Sequence, residues 1–323
     1  MSAAVSGLVY AGIVANILLG ATAYLIWLER RMAARMQNRV GPNIVGFQGL
    51  LQPIADLLKL LQKEDLTPRD ADRRLYRLAP PLAVLFALAV AAVVPFSADA
   101  AAAKLDVGVV YVLAVGGLLV YPVWMAGWAS NNKYALLGGM RSVAQMVAYE
   151  VPLVMASMVP VVLAGSMSLM DINHAQAGGK WFLLWPAGPG ALAFVLFMIG
   201  MLAESNRIPF DIPEAESELV AGVTTEYSGV GFGMFYLAEY LHTLVGSAIA
   251  AALFLGGMDG PGPDGAHWMA LKTFGLFTAV YWLRWTLLRL RSDQLMDLCW
   301  KYLVPASVVA LAWSAVYAAL GVG

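Results

Sequence analysis

Long apolar runs separated by short polar connections dominate this sequence. The runs are about twenty residues long, which is the length an α-helix needs to cross a hydrocarbon core of about 30 Å. The ten-residue alternation of polar and apolar positions that is typical of a membrane β-barrel is not seen. The pattern predicts eight spanning helices, approximately at 5–28, 79–98, 108–129, 143–167, 188–204, 232–256, 268–288 and 302–320. Because the number is even, we expect both termini on the same face of the membrane.

Composition supports a membrane protein. Hydrophobic residues make up 60% of the chain and charged residues 13%, and the mean hydropathy is +0.71. Soluble domains have apolar usage nearer half. We therefore predict an all-α integral membrane protein with a single membrane domain over 1–323. No cleavable signal is expected, because the first apolar run follows no basic residue and is longer than a signal sequence requires.

The basic residues are distributed unevenly between the two predicted faces. Of the 20 lysines and arginines, 17 lie in or beside the connections after the first, third, fifth and seventh segments. The exceptions are Lys104, Lys180 and Lys272. Cytoplasmic loops of membrane proteins carry an excess of positive charge. The sequence therefore predicts that these four connections are cytoplasmic and that both termini are periplasmic.

The connection over 29–78 contains an amphipathic segment. Apolar residues recur at helical spacing, namely Phe47, Leu50, Leu51, Ile54, Leu57, Leu58 and Leu61. The opposite face holds Gln48, Gln52, Asp56, Lys59 and Lys63. This pattern predicts a cytoplasmic helix along the membrane surface that starts or kinks at Pro53. Such a helix serves either as a surface anchor alone or as the wall of a site.

The connection over 204–231 is unusually acidic. Its acids are Glu204, Asp211, Glu214, Glu216, Glu218 and Glu226, and Arg207 is its only base. A carboxylate at bilayer depth costs roughly 2.5 to 3.5 kcal/mol on insertion scales. Six acids with one counter-charge at a membrane boundary therefore indicate a function.

Two prolines constrain the backbone of this acidic loop. Pro209 and Pro213 exclude an unbroken helix, because each removes a backbone donor and disfavours helical geometry in the preceding residue. In a purely structural interpretation, Asp211 caps a helix that restarts near Pro213. Glu214 and Glu216 then lie in the first turn, where the helix dipole favours negative charge. This interpretation leaves the other acids unexplained.

Charged residues inside the predicted spans are few. Glu150 lies in the fourth segment and Glu239 in the sixth, with no basic neighbour in sequence, and Glu29 closes the first. The third segment carries no acidic or basic side chain between Val107 and Trp128. Intramembrane carboxyl groups are typical of proton paths. Any path here must bypass the third segment or use water.

Cysteine and histidine are too sparse for a resident redox centre. The chain has one cysteine, Cys299, and its histidines are His174, His242 and His267, without ligand spacing. An iron–sulfur cluster generally needs four thiolates and a haem needs an axial ligand. We therefore expect no metal site and no redox cofactor held by this chain alone. His242, inside an apolar run, is expected to form a helix–helix hydrogen bond.

Four stretches of the sequence together resemble one known protein family. They are ERRMAARMQNRVGPNIVGFQGLLQPIADLLKLLQKE, GWASNNKYALLGGMRSVAQMVAYEVPL, AESNRIPFDIPEAESELVAG followed by TEYSG, and RLRSDQLMDLCWKYLVP, spread over 29–305. In these stretches the chain resembles the H-type membrane component of bacterial respiratory complex I, the NADH:quinone oxidoreductase. In that family this component joins the membrane arm to the peripheral arm.

The resemblance implies a place in a larger machine. It implies that the eight helices and cytoplasmic loops form the membrane end and entrance of a chamber for ubiquinone or menaquinone. Electrons are then expected from NADH through FMN and iron–sulfur clusters in partner subunits. The implied partners are the peripheral-arm quinone-site subunits, the small membrane subunits beside the antiporter-like subunits, and lipid, with no nucleic acid. The implied location is the bacterial cytoplasmic (inner) membrane.

Site residues follow from the same resemblance. The residues implied in proton coupling are Glu204, Asp211, Glu214, Glu216, Glu218, Glu226, Glu239 and Glu150. The residues implied around the quinone chamber and its entrance are Glu29, Arg30, Arg39, Asp56, Glu64 and Arg291. No residue of this chain is expected to be catalytic in its own right.

The residues leave two other functions open. The first is the homologous component of a membrane-bound hydrogenase or related complex, but the continuous PEAESELVAG and TEYSG stretches favour the quinone enzymes. The second is a secondary ion transporter. Transporters commonly contain repeated halves with interrupted helices at matching positions. The acidic, proline-broken loop has no counterpart in the first half of this chain, which does not favour a transporter.

Overall fold

The computed structural model of the chain describes residues 3–96, 105–185, 188–213 and 216–320. All regular secondary structure in these residues is helical. The α-helices are α1 (Ala3–Met36), α2 (Gln52–Gln62), α3 (Arg73–Ala91), α4 (Gly108–Gly117), α5 (Val120–Ala129), α6 (Lys133–Ala164), α7 (Leu169–Ala175), α8 (Pro189–Glu204), α9 (Glu216–Leu219), α10 (Gly229–Phe254), α11 (Ala266–Thr286), α12 (Ser292–Asp297) and α13 (Val304–Ala319). Short 3₁₀-helices lie at Phe47–Gly49 and Gly222–Thr224, and a π-helix at Leu298–Leu303 joins α12 to α13.

Helix occupies most of every predicted spanning segment among the described residues. Six helices of the described residues are long and apolar enough to cross a membrane, at Ala11–Met36, Arg73–Ala91, Gly108–Ala129, Lys133–Ala164, Gly229–Phe254 and Ser292–Ala319. The other two segments correspond to α8, an apolar helix of 16 residues, and α11, of 21 residues. The all-α membrane architecture is confirmed. Residues 97–98 of the second segment lie outside the described residues.

Two helices extend beyond the predicted spans into the connection over 29–78. Helix α1 continues to Met36, so Glu29 and Arg30 are helical rather than part of a loop. Helix α3 begins at Arg73, because the Asp72 carboxylate accepts hydrogen bonds from two amides of its first turn, at 3.0 and 3.4 Å. Such N-caps satisfy donors that a helix start leaves unpaired. The irregular part of the connection over 29–78 is therefore shorter than the sequence predicts.

The third segment is not one continuous helix. Helix α4 ends at Gly117 and α5 begins at Val120. Between them, the amides of Leu118 and Leu119 each donate to the carbonyl three residues earlier, at 3.2 and 3.0 Å. Bonds of this type tighten the chain into a 3₁₀ turn. The break lies in the middle of an apolar span, where backbone irregularity is tolerated only against protein or a cavity.

Helix α10 is the centre of the bundle. It packs against α1, α2, α3, α8 and α11, whereas α6 packs against α5, α8 and α13, and α8 contacts both α6 and α10. Of the apolar window of α10, 83% is buried, compared with 17% for α1. Side chains on α10 therefore face other helices on almost every side.

The end of α10 far from the acidic loop is fixed by two side chains. The buried Gln176 amide donates to the carbonyls of Ala252 and Leu253, at 3.0 and 3.2 Å. Lys272 donates to the carbonyl of Leu255, at 2.5 Å. The last carbonyls of a helix have no partner within it. These contacts supply partners and anchor the helix that carries Glu239.

Helix α2 forms where the amphipathic pattern predicts it, with Pro53 in its first turn. Its polar side faces α1: Asp56 accepts from Arg30 at 2.6 Å and from Gln52 at 2.9 Å. The large side chains that remain exposed on it and just before it are Leu50, Leu51, Ile54, Leu57, Leu58 and Leu61. The helix is thus tied to the bundle on its polar side and presents an apolar surface outward.

Candidate functional site

Glu204 is the last residue of α8, at the point where the chain leaves the bundle for the acidic loop. The Oε2 atom of Glu204 lies 3.6 Å from Nε2 of His242 on α10. Neither ring nitrogen of His242 has a hydrogen-bond partner among the described residues. The prediction that His242 forms a helix–helix hydrogen bond is therefore wrong. The Glu204 carboxylate and the His242 ring instead lie at ion-pair distance, and both border cavities between the helices.

Two internal cavities meet at Glu204 and His242. One, of about 60 Å³, is also lined by Glu239, Asn206 and Phe235. The other, of about 40 Å³, is also lined by Glu150, Gly116 and Gly117. One water molecule needs a cavity of roughly 10 to 15 Å³ and several polar partners. Each cavity has room for water between carboxylates. The first cavity thus connects Glu239 to Glu204 and the second connects Glu204 to Glu150, a series called here the line of carboxylates, with His242 beside its middle member.

Arg207 compensates the charge of Glu239. The turn after α8 carries Arg207 back into the bundle, where its side chain is 2% exposed and its Nη2 lies 2.9 Å from Glu239 Oε2. Its guanidinium also lies over the ring of Tyr240, 4.4 Å from the centroid. The neighbouring carbonyl of Pro209 accepts the Leu290 amide at 3.0 Å, which holds this turn in place. Glu239, without a basic neighbour in sequence, has one in space.

Glu29 lies in the interior where α1, α10 and α11 meet. It is 3% exposed and accepts hydrogen bonds from Arg284 at 2.6 Å and from Trp285 at 3.2 Å. It also accepts the hydroxyl of Tyr240. Tyr240 therefore touches both Arg207 and Glu29. The ring connects the Arg207–Glu239 pair with the Glu29–Arg284 pair.

Glu218, in α9, is held differently from the other acids. Its carboxylate pairs with Arg141 of α6 at 2.7 Å and with Arg289, just beyond α11, at 3.1 Å. The hydrogen bond from Arg141 and the charge of Arg289 lower the pKa of the Glu218 carboxyl below its usual range. A carboxylate with two arginine partners remains ionised at neutral pH. Glu218 acts as a bridge between two helix ends.

The structure describes the other acids of the loop in part. Glu226 accepts the Asn132 amide at 2.5 Å, beside an open polar cleft. Asp211 lies five residues before α9, and residues 211–213 are not helical, so Asp211 is not in an N-cap position. Glu216 is the first residue of α9. Glu214 lies outside the described residues.

The residues expected around a quinone entrance are only partly brought together. Arg30 and Asp56 pair between α1 and α2, as described above. Arg39 is exposed and donates to Gln37 at 2.7 Å. Glu64 is exposed, and its carbonyl accepts the Ser228 hydroxyl at 3.1 Å. Arg291 pairs with Asp293 at the start of α12.

Several residues of this arrangement were not singled out by the sequence. Tyr240 and Arg284 carry no motif signal of their own, although Tyr240 directly follows Glu239. Gly116 and Gly117 lie in the third segment, which the sequence analysis expects a proton path to bypass or to pass by way of water. The only sequence signal for them is a glycine pair inside a long apolar run. Their contact with carboxylates depends on helix packing.

Comparison with known proteins decides the family. The family model described as NADH dehydrogenase matches residues 9–315. The chain belongs to the NADH dehydrogenase family. Three relatives are H-type components of NADH-quinone oxidoreductases. The one from Thermomicrobium roseum is 46% identical over 95% of this chain and 94% of the relative. One from Geobacter metallireducens is 47% identical over 91% and 90%, and that of Dehalococcoides mccartyi is 46% identical over 94% and 84%.

The family match includes the whole arrangement described above. Glu29, the first of the paired residues described above, and Asp293, the last, both lie inside the matched region. The described residues hold no group of three or more histidine, cysteine, aspartate or glutamate side chains placed to bind a metal ion. Within the NADH dehydrogenase family, this chain therefore offers titratable groups and apolar surface as its candidate chemistry.

Proposed function

We propose that this chain is the H-type membrane component of a proton-pumping NADH:quinone oxidoreductase. The relatives are named as that component, and the chain matches them over most of its length. In this role it forms the membrane end and entrance of the quinone chamber. NADH, FMN and the iron–sulfur clusters belong to partner subunits, which deliver electrons to quinone. The chain lies in the bacterial cytoplasmic membrane with both termini in the periplasm.

The quinone-facing part is built on α2. Its exposed leucines and Ile54 form an apolar surface suited to an isoprenoid tail or to acyl chains. Its polar side is tied to α1 through Arg30 and Asp56, which fixes the distance between this surface and the bundle. The substrate is ubiquinone or menaquinone. The peripheral-arm subunits that bind the headgroup dock on this cytoplasmic side.

The line of carboxylates carries the proton-coupling part of the proposal. Reduction of quinone to quinol takes up two protons, and the change of charge acts on the nearest buried ionic groups, Glu29, Arg207 and Glu239. A shift in the Arg207–Glu239 pair alters the proton affinity of Glu239. Water in the first cavity passes a proton between Glu239 and Glu204. Water in the second passes it between Glu204 and Glu150.

Glu150, at the far end of the line of carboxylates, indicates contact with a neighbouring subunit. Glu150 lies on the outer side of α6 and is exposed in the isolated chain, at a depth where a carboxylate facing lipid would cost roughly 2.5 to 3.5 kcal/mol. A small membrane subunit packed against α6 would cover it. Through that neighbour the line continues toward the antiporter-like subunits. Glu218, with its two arginines, serves to hold the acidic loop in place.

Neutralising the middle of the line tests the proposal. In Glu204→Gln, the assembled enzyme should reduce an artificial acceptor from NADH at nearly the normal rate, because that acceptor draws electrons upstream of this chain. Quinone reduction and proton pumping should fall by about tenfold or more, as is typical when a group that transfers protons is removed.

The matched control is Asp297→Asn. Asp297 is also paired with a base, Lys301 at 2.7 Å, but both side chains are about 60% exposed and lie away from the cavities. It should leave all three activities unchanged. Full quinone-linked pumping in Glu204→Gln would remove the line of carboxylates from the mechanism.

A further inference from the structure

The break in the third segment lies directly against the carboxylates. A Cβ atom added at Gly117, the last residue of α4, would lie 2.8 Å from Oε1 of Glu150. A Cβ atom added at Gly116 would lie 3.5 Å from Oε1 of Glu204. The first distance is shorter than any ordinary contact, whereas the second is normal van der Waals contact. The Glu150 carboxylate therefore occupies space that only glycine leaves free at 117.

Backbone conformation does not explain this glycine. Gly117 is not among the described residues with a left-handed backbone, so alanine would adopt the same helical geometry. Alanine would also be favoured there by roughly 1 kcal/mol of helix propensity. The reason for glycine at this position is thus the space above it, which the Glu150 side chain fills.

The position of this contact gives it a consequence for function. Gly117, Glu150, Glu204 and His242 line the same cavity of about 40 Å³. In so small a space, the place of the carboxylate decides whether water can bridge it to Glu204. An extra methyl group at 117 would push the Glu150 carboxylate back by more than half an ångström.

We infer that Gly117 is a positioning residue, which lets the Glu150 carboxylate reach into the cavity toward Glu204. This inference rests on the proposed function. The third segment, which has no charged side chain of its own, thereby takes part in the path by leaving space rather than by carrying a proton. The 3₁₀ turn after Gly117 ends α4 at the level of the two carboxylates.

The test is Gly117→Ala in the assembled complex. The carboxylate is the end of a flexible side chain, so the chain can accommodate the methyl group by moving Glu150 and should fold and assemble. NADH oxidation by an artificial acceptor should remain normal. Quinone-linked proton pumping should fall on the order of tenfold, since a misplacement of about 1 Å can cost as much as 100-fold.

Two comparisons separate positioning from general damage. Gly275→Ala adds the same methyl group to α11, where nothing lies within 4 Å of it, and should leave pumping unchanged. The double variant Gly117→Ala/Glu150→Asp shortens the acid by one methylene group, which makes room for the added methyl. Because shortening the acid also withdraws its carboxylate, the reference is Glu150→Asp: adding Gly117→Ala to that variant should lower pumping by much less than the same change does in the unmodified protein. A structural defect at the α4–α5 break would not be relieved by shortening Glu150.

The outcomes are distinct for the inference and for the proposed function. Normal pumping in Gly117→Ala, or an equal fold loss from Gly117→Ala in the unmodified protein and in Glu150→Asp, overturns the positioning role. If Gly117→Ala lowers the amount of assembled complex, recovery of assembly in the double variant supports the contact, and no recovery overturns it. Normal pumping in Glu150→Gln would instead show that the proposed path fails, whatever Gly117→Ala does.

Discussion

Glu204 and Glu218 come from the same acidic loop but occupy opposite environments. Glu204 faces two cavities and has an imidazole 3.6 Å away. Glu218 is nearly half exposed and is paired with Arg141 and Arg289. A carboxyl group that exchanges protons near neutral pH needs a partner that does not hold it permanently ionised. In the proposed function, the same residue type thus serves proton transfer at one end of the loop and attachment at the other.

The comparison also distinguishes two kinds of ion pair. In the Arg207–Glu239 pair, Arg207 is 2% exposed and lies over the ring of Tyr240, while Glu239 is 22% exposed. The Glu218 pairs lie near the surface. Surface pairs contribute little to stability, whereas breaking an enclosed pair leaves an uncompensated charge. Mutations at the two sites should therefore differ in size and in kind.

The largest effect is expected at Arg207. Arg207→Leu leaves Glu239, which is 22% exposed, without its counter-charge, which should destabilise the fold by about 1 to 3 kcal/mol. The amount of assembled complex, measured on native gels with in-gel NADH dehydrogenase staining, should drop sharply. Arg207→Leu/Glu239→Leu removes both charges and should recover assembly, while quinone-linked pumping stays low. Normal assembly of the single variant would contradict an enclosed, stabilising pair.

A smaller effect is expected at Glu218. Glu218→Gln removes charge but keeps shape, and the two arginines can turn to water. We expect quinone-linked proton pumping within about twofold of normal, since exposed pairs typically contribute little. Measured beside Glu204→Gln in the same membranes, it gives a direct contrast. An equal loss of pumping in the two variants would remove the distinction between them.

The pH dependence sharpens the same contrast. The pKa of Glu218 is lowered from its ordinary value of 4.5 by its arginine partners. The stabilisation it provides is present above that ordinary value and is lost only as the pH falls through the lower, folded-state pKa. Between about pH 6 and 8 the ion pairs are constant. The pH profile of quinone reduction over this range should therefore be the same in Glu218→Gln and in the unmodified enzyme.

On the polar side of α2 we expect a modest effect on quinone binding rather than on pumping. Asp56→Asn weakens the link to Arg30 and should raise the apparent KM for quinone a few-fold, because it loosens the wall of the proposed chamber. Lys59→Gln changes an exposed side chain without a hydrogen bond in the described structure and should leave the KM unchanged. Quinone titrations of the two variants provide the measurement. Identical KM values for both would argue against α2 as a wall held in place by Asp56.

Much of the fold follows from the sequence because membrane helices are determined locally. A run of about twenty apolar residues must satisfy its own backbone in lipid, so segment position and helical type can be predicted without knowledge of packing. The amphipathic α2 was also predictable, since periodicity and Pro53 fix its start. The ends of the helices were harder to predict. Helix α1 continues to Met36, because a helix that leaves the bilayer need not end at the membrane boundary.

The acids of the site were visible in the sequence, but their partners were not. Glu29, Glu150, Glu204 and Glu239 stand out because charge is rare in apolar segments. Nothing local pairs Glu239 with Arg207, since 32 positions and a proline-broken turn separate them. The long contact between His242 and Glu204 likewise depends on how α8 crosses α10.

The sequence by itself determined the helical membrane architecture, the acidic composition of the loop and the resemblance to the complex I family. Only the tertiary structure decided which carboxylates border cavities and which are held by arginine, because that depends on contacts between helices far apart in the chain. It also decided that the uncharged third segment meets Glu150 at Gly117. The sequence shows which residues are charged, but the cavities and partners around them form only when the helices pack.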